Sequence, residues 1–455
     1  MIKYSISGWK IMVSVFLMAL LTVPLASAEK KIFHGTGEYT MSDYETPEVA
    51  KQRAIAYAKQ RAAEQAGVYV ETYSRMNNMQ ITEDKVGVLV NSAMLIIEQN
   101  TEMQQLPTGD VRIVGKITAE IDTDTIKERN SNQDIDMLRM KEMYTYLSVE
   151  NKKDEKEIAR LKNEIKEMKS KELSTKDLQI EVKVKEQFFL ANQKLNEAST
   201  LYYKNEYDNS MKIVNDVLRL NPKNEWGYVL RGDLFEKNKE YNKAINDYTN
   251  AINIDPESGA ALSAYLGRGV LCYRKGEYDK VIMDFSRVLS MMPINNYSRE
   301  LVFYVYCVRA DLYYDRGEYE KAIDDYTKAI DINNKDAEVF KCRAVAYFAK
   351  EEYDKALDDY TKSITVNNKY AASYIGRAHI YNCKGEYDNA IKDCEQFIKY
   401  KGESSIKMDV PYTLLGIAYF GKIDYERAIT YLEKAIEINP NNKAAKEVLE
   451  IVSKK

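Results

Sequence analysis

From residue 191 to residue 440, apolar and polar positions alternate with the period of an amphipathic helix, and short polar turns interrupt the pattern at regular intervals. The phrase Gly317-Glu318-Tyr319-Glu320-Lys321-Ala322-Ile323-Asp324-Asp325-Tyr326-Thr327-Lys328-Ala329-Ile330 returns 34 residues later as Glu351-Glu352-Tyr353-Asp354-Lys355-Ala356-Leu357-Asp358-Asp359-Tyr360-Thr361-Lys362-Ser363-Ile364. A fixed period with small residues at set offsets predicts helix hairpins stacked in a solenoid.

Seven repeats share one register, starting near Ala191, Glu225, Leu262, Phe303, Ala337, Ala371 and Asp409. Position 8 is Ala198, Gly232, Gly269, Ala310, Ala344, Ala378 and Gly416; position 20 is Ser210, Ala244, Val281, Ala322, Ala356, Ala390 and Ala428. Both must be small because two helix backbones approach there. Position 11 is Leu201, Phe235, Cys272, Tyr313, Tyr347, Tyr381 and Tyr419, which fill the gap between hairpins. Pro222, Pro256, Pro293 and Pro440 stop the second helix of their repeats. Extra residues near Glu257–Ala261, Ile294–Arg299 and Gly402–Lys407 predict longer inter-repeat loops. The tail, residues 441–455, places Ala444, Ala445, Val448, Leu449 and Val452 on one face, as a capping helix at the end of a solenoid requires.

These repeats resemble the tetratricopeptide family, which places small residues at positions 8, 20 and 27, aromatics at 11 and 24, and often a proline at 32. The resemblance implies a right-handed α-solenoid whose concave groove takes a protein or peptide segment. Positions 2, 5, 9 and 12 of each first helix would face that groove: Trp226, Val229, Asp233, Leu266, Tyr273, Tyr304, Asp311, Tyr314, Phe348, His379 and Phe420 among them. The set is largely aromatic and apolar, and it fits a partly apolar, neutral or weakly charged segment. Trp226, the only tryptophan after residue 28, is the leading anchor. Each of these aromatics is equally open to a second reading, packing between neighbouring repeats.

Position 7 is Arg231, Arg268, Arg309, Arg343 and Arg377, and position 23 of the same repeats is Asp247, Asp284, Asp325, Asp359 and Asp393. The first repeat has Glu197 and Ile213 there, and the last Leu415 and Tyr431. Charges present or absent together predict a bridge between the two helices; descent from one ancestral copy would leave the same pattern.

Upstream, residues 30–129 read as a small α+β unit. Strands are expected at Lys31–Tyr39, Val68–Tyr73, Ile97–Gln105 and through Val111, Ile113, Gly115, Ile117, Ala119 and Ile121, where apolar and polar residues alternate. A helix capped by Thr46 with Pro47 at its first position runs through an alanine-rich stretch to Gly67; a second is expected from Thr82 through Val86, Val90 and Leu95. Ala50-Lys51-Gln52-Arg53-Ala54, Ala62-Ala63-Glu64-Gln65-Ala66-Gly67-Val68-Tyr69-Val70-Glu71 and the final hairpin resemble the N-terminal domain of the flagellar assembly T protein and related envelope lipoproteins. That resemblance implies an envelope binding or assembly domain without enzymatic chemistry, and no flagellar role.

Residues 130–185 are highly charged and lack proline and glycine. One heptad register puts Met137, Met140, Tyr144, Leu147, Asn151, Asp154, Ile158, Leu161, Ile165 and Met168 on a seam, with Asp154 as its defect. A homodimer through this coiled coil and a lone charged helix, acting as a spacer or packed on its neighbours, both fit. Ser174-Thr175 would end one helix and cap the next.

Residues 1–28 read as a secretory signal peptide: Lys3 and Lys10, an apolar core Ile11–Val23 too short to span comfortably, and the small-x-small sequence Ala26-Ser27-Ala28. Loss of this leader takes the net charge from −4 to −6, which argues against nucleic acid as a partner. An uncleaved anchor is the other reading of the leader; no later stretch has the length to span a membrane. Export to the periplasm or cell envelope follows.

No catalytic, metal or cofactor set emerges. The two histidines, His34 and His379, are far apart, and no Cys or His spacing suits zinc. The five cysteines, Cys272, Cys307, Cys342, Cys383 and Cys394, read as buried free thiols, with a Cys383–Cys394 pair left open. The sequence thus points to an exported scaffold or adaptor, not an enzyme. The alternative is an envelope protein whose N-terminal domain contacts glycan or cell wall while the repeats self-associate.

Overall fold

Three glycines, Gly35, Gly37 and Gly115, decide how the N-terminal sheet is covered. In the computed structural model, which describes residues 30–41, 47–76, 90, 94–122, 135–171, 174–291, 299–401 and 406–455, strands β1 (Lys30–Met41), β2 (Met94–Gln105) and β3 (Val111–Asp122) form an antiparallel sheet ordered β1-β3-β2. Helix α1 (Pro47–Met76) lies on it. Ala50, Ala54, Ala58, Ala62 and Ala66, one helical turn apart, are all fully buried. A Cβ on Gly35 would stand 1.9 Å from the Ala58 carbonyl oxygen, and one on Gly37 2.4 Å from that of Ala54. Alanine and glycine therefore let the helix backbone rest directly on the strands. Residues 68–73, expected as a strand, instead continue α1. Val70 extends the alanine stripe by one more turn and is fully buried with Ala66, while Gly67 sits on the wetter side; burial of the stripe overrides the β propensity of this segment. Thr46 and most of the expected second helix lie outside the described residues; Leu95 belongs to β2 and not to that helix.

The charged stretch forms a hairpin with the first repeat. Helix α2 (Ile135–Ser170) runs antiparallel to α3 (Lys176–Tyr203), and Ile158, Leu161 and Ile165 bury against Val182 and Leu178. Of the expected seam, Leu147, Asn151, Asp154, Ile158, Leu161 and Ile165 meet residues of the same chain, the packing on neighbours that stood beside the homodimer reading; the side chains of Met137 and Met140 lie outside the described residues. Asn151 accepts a hydrogen bond from Asn192 at 3.2 Å. Asp154 is no defect: Lys185 bridges it at 3.1 Å, and Lys162 bridges Glu186 at 3.1 Å. Thr175 precedes α3 and accepts a bond from Gln179 through its hydroxyl. Since α3 continues without a break into the first repeat, the boundary expected between 185 and 191 falls inside one helix. The N-terminal unit docks on this hairpin: Arg53 stacks between Tyr39 and Phe189, and Tyr57 donates to Glu155.

The first repeat pairs α3 with α4 (Tyr207–Leu220), the second α5 (Glu225–Lys237) with α6 (Tyr241–Ile254), and the third α7 (Gly259–Lys275) with α8 (Tyr278–Met291). These belong to the unit 24–298. The unit 299–455 holds α9 (Arg299–Asp315) with α10 (Tyr319–Ile332), α11 (Ala337–Ala349) with α12 (Tyr353–Val366), α13 (Ala371–Lys384) with α14 (Tyr387–Tyr400), α15 (Asp409–Gly421) with α16 (Tyr425–Ile438), and the terminal α17 (Lys443–Val452). The chain is mainly helical, a small three-stranded unit followed by helix hairpins. Positions 8 and 20 are buried in every repeat. A Cβ on Gly232 or Gly269 would collide with the position-24 ring of Tyr248 or Phe285 at 2.6–2.7 Å. The insert at 257–261 is no loop: Ser258 caps α7, and the extra residues add a first turn to it. The later inserts fall mostly outside the described residues, as do Pro293 and the leader 1–28. Helices α4, α6 and α16 stop at Leu220, Ile254 and Ile438, two residues before a proline. Ala445 and Val452 of α17 are buried against the last hairpin.

Candidate binding grooves

The paired charges meet inside each of the five repeats that carry them. In all five pairs, Arg231–Asp247, Arg268–Asp284, Arg309–Asp325, Arg343–Asp359 and Arg377–Asp393, Nε and Nη2 of the arginine donate to the two carboxylate oxygens at 2.6–2.9 Å. Every one of these aspartates is buried. Burial pushes the carboxyls of Asp284 and Asp393 up, and the facing guanidinium pulls them back. The third arginine arm reaches the preceding repeat: Nη1 of Arg268, Arg343 and Arg377 donates to Thr249, Thr327 and Thr361 at 2.9–3.1 Å, and that of Arg231 to Asn215. Arg309, Arg343 and Arg377 also lie between ring pairs, Tyr306 and Tyr313, Phe340 and Tyr347, Tyr374 and Tyr381. These side chains hold the solenoid together rather than meet a ligand.

The concave face of repeats one to three is already filled. Trp226, only 3% exposed, belongs to one buried cluster with Val229, Leu195, Ala191 and Met143 and Leu147 of α2. Leu266 is buried as well. Asp233 accepts a hydrogen bond at 2.6 Å from Tyr248 of its own repeat. Trp226, Val229, Asp233 and Leu266 are therefore not free groove residues: Trp226 and Val229 share a buried cluster with Met143 and Leu147 of α2, Asp233 is tied to Tyr248 of its own repeat, and Leu266 is buried.

In the unit 299–455 the corresponding positions are more open. Tyr304, Asp311, Tyr314, Phe348 and Phe420 are half-buried, and His379 is exposed. The His379 ring rests on Phe348 with centroids 5.0 Å apart, and the desolvation lowers its pKa. Asp311 accepts a hydrogen bond from Tyr326, and burial raises its carboxyl to about 6. The position-12 rings are tied inward: Tyr314 to Tyr319, Phe348 to Tyr353, Phe420 to Tyr425 and, in the third repeat, Tyr273 to Tyr278, at 5.5–6.1 Å. Of the predicted set, Tyr304, Asp311, Phe348 and His379 lie on the first helices of three consecutive repeats, α9, α11 and α13.

Residues 227–258, 371–403 and 411–442 match the family model described as tetratricopeptide repeat, and residues 310–350 match one described as TPR repeat. The chain carries tetratricopeptide repeats. A curated relative, the DnaJ homolog subfamily C member 7 homolog of Schizosaccharomyces pombe, is 38% identical over 68 residues, 15% of this chain and 14% of that protein. Among solved structures, the MamA protein is 27% identical with a TM-score of 0.35, covering 40% of this chain and 93% of its own. The C-terminal part of a TPR repeat-containing protein from Cytophaga hutchinsonii is 18% identical with a TM-score of 0.43, covering 56% and 99%.

Several tetratricopeptide side chains that shape the grooves escaped the sequence reading. Tyrosine stands at position 17 of all seven repeats, Tyr207, Tyr241, Tyr278, Tyr319, Tyr353, Tyr387 and Tyr425, and that invariance was the available signal for the inward ring pairs. Leu147 lay within the heptad seam and Met143 outside it, and nothing in the pattern told a groove from a partner helix. All five cysteines are free; Cys272, Cys307 and Cys394 are buried, Cys342 is half-buried, and Cys383 is exposed, unlike the buried thiol expected there. Among the described residues, no three His, Cys, Asp or Glu side chains stand together as metal ligands, and no helix is long and apolar enough to cross a membrane.

Proposed function

We propose that this protein is an exported scaffold of the cell envelope that binds a partner protein segment through the concave face of its fourth to sixth repeats. The observation that carries the reading is the part-exposed set Tyr304, Asp311, Phe348 and His379 on neighbouring first helices, three rings with one carboxylate. The arginine–aspartate pairs brace the hairpins behind that face, so a docking segment meets a preformed surface and little ordering entropy is lost. Such a surface suits a partly apolar, neutral or weakly charged segment. Export rests on Lys3, Lys10, the apolar core and Ala26-Ser27-Ala28. A homodimer through α2 is not part of this reading, because the seam is covered from within the chain.

The test uses the full chain as bait in envelope extracts of its own cell. A defined partner is expected to be retained, and Phe348→Ala with His379→Ala is expected to release it while the thermal melt stays within a few degrees. Retention undiminished by that double variant would place the contact elsewhere. N-terminal sequencing of the protein from fractionated cells is expected to begin at Glu29 in the envelope or periplasmic fraction; an intact Met1 in the cytoplasm would remove the export half of the proposal.

A further inference from the structure

The first repeat breaks the charge pattern of its neighbours at one position. Where repeats two to six carry arginine at position 7, it carries Glu197. In repeats two, three, five and six that arginine reaches back through Nη1 to the repeat before it. No repeat precedes the first. Glu197 acts instead on Lys59 of α1: burial pushes the Lys59 ammonium down, and Glu197 pulls it back up. The sign at position 7 is thus reversed in the one repeat whose neighbour is the N-terminal unit.

The rest of that junction has the same polarity. The Arg53 guanidinium of α1 lies 5.0 Å from the ring centroid of Phe189 on α3, and Tyr57 donates to Glu155 of α2 at 3.2 Å. Two cations stand on α1, and two acids on the helices that receive it. The apolar cores stay apart. Among the described residues, the buried clusters beneath α1 hold residues between 33 and 121 only, and those of the hairpin and the first repeats begin at Met143. A junction held by charges, one ring and a hydrogen bond, without a shared apolar core, lets its two sides separate as folded bodies. Opposite charges across it make the docking sensitive to salt.

We propose that the N-terminal unit is a detachable cap of the solenoid, standing where a repeat before the first would stand and docked by the basic side of α1 on Phe189, Glu155 and Glu197, so that ionic strength sets whether it is seated or free. The change from arginine to glutamate at position 7 is the adaptation of the first repeat to this cap.

The experiment treats the full chain with a carbodiimide, which condenses a lysine amine with a carboxylate in reach, and reads the cross-linked peptides by mass spectrometry. Lys162 and Glu186, bridged at 3.1 Å between α2 and α3, supply the internal control. The Lys59–Glu197 link is expected at low salt and to fall about fivefold between about 0.05 M and about 0.5 M salt, while the Lys162–Glu186 link holds. Over the same range the radius of gyration from small-angle scattering is expected to rise with the far-UV circular dichroism unchanged. Glu197→Arg, which gives the first repeat the residue of its neighbours, is expected to raise the radius already at low salt, and Lys59→Glu added to it is expected to lower it again. If Glu197→Arg loses its cooperative melt, Glu155→Lys, whose site belongs to neither apolar core, is read in its place. A link and a radius that ignore both salt and the variant would make the unit a fixed part of the fold. Absence of the Lys59–Glu197 link at low salt, with the control link present, would overturn the reversed-charge dock.

Discussion

Ile423 shows what a repeat costs at a single turn. The residue that closes the turn within each hairpin is left-handed throughout: Gly276, Gly317 and Gly385 at φ near 75°, and Asn205, Lys239, Glu351 and Ile423 at 62°. Glycine accepts this region without strain, whereas a β-branched side chain is a steric outlier there. Ile423 is 72% exposed, so its side chain gains little packing in return. Ile423→Gly is expected to stabilise the fold by about 1 kcal/mol in a denaturant titration, the relief of strain exceeding the added freedom of the unfolded chain. Asp311 carries a different liability. Its folded carboxyl holds a proton up to a pH of about 6, above the ordinary 3.8, so the unfolded chain ionises first as pH rises. Stability is lost across that window, and the loss is complete above it. Asp311→Asn, which still accepts from Tyr326, is expected to be more stable than the parent by about 1–2 kcal/mol at pH 7.5, with the advantage vanishing near pH 4 in thermal melts. Neither feature was legible in the sequence: the turn position varies from Gly to Ile, and the raised carboxyl depends on burial that no single residue announces.

Between neighbouring elements, the arginine at position 7 is the coupling device. Arg343 bonds Asp359 on its own hairpin with two arms and Thr327 of the preceding hairpin with the third. Arg343→Leu alone strips the buried Asp359 of its guanidinium, leaving Lys362 at 3.9 Å as its cation, and is expected to cost about 3 kcal/mol. Adding Asp359→Tyr, after Leu415 and Tyr431 of the last repeat, is expected to recover part of that loss; strictly additive melting-temperature changes in the cycle would contradict a coupled pair. The pairing partners were readable because Arg and Asp come and go together along the repeats, but the threonine arm was not, since Thr249, Thr327 and Thr361 carry no charge to attract notice. The heptad of α2 was likewise readable as a seam. Its partner was not, because periodicity specifies an apolar face and says nothing of which helix covers it. The end of α1 was misread for a related reason: Val68 to Tyr73 has strand-like residues, yet Val70 stays in phase with the buried alanines.

At the level of the whole chain, the repeats and the mixed N-terminal unit were plain in the sequence because each rests on a short period repeated many times. What was hidden is the join between them, since a helix that serves two packing environments shows the period of both and the boundary of neither. Helix α3 is that join. Its first half carries Val182 and Glu186 against α2, its second half carries Ala191, Leu195 and Ala198 into the first repeat, and no turn separates them. The two halves are therefore geared by angle. Inserting one residue between 186 and 191 would slide the hairpin by about 1.5 Å and rotate it by about 100° about the helix axis, carrying Arg53 and Tyr57 with it. Inserting seven would bring the hairpin back to within about 20° of its phase, displaced along the axis by about two turns. Along this stretch, chain length can change only in near-whole turns if the N-terminal unit is to keep facing the same way.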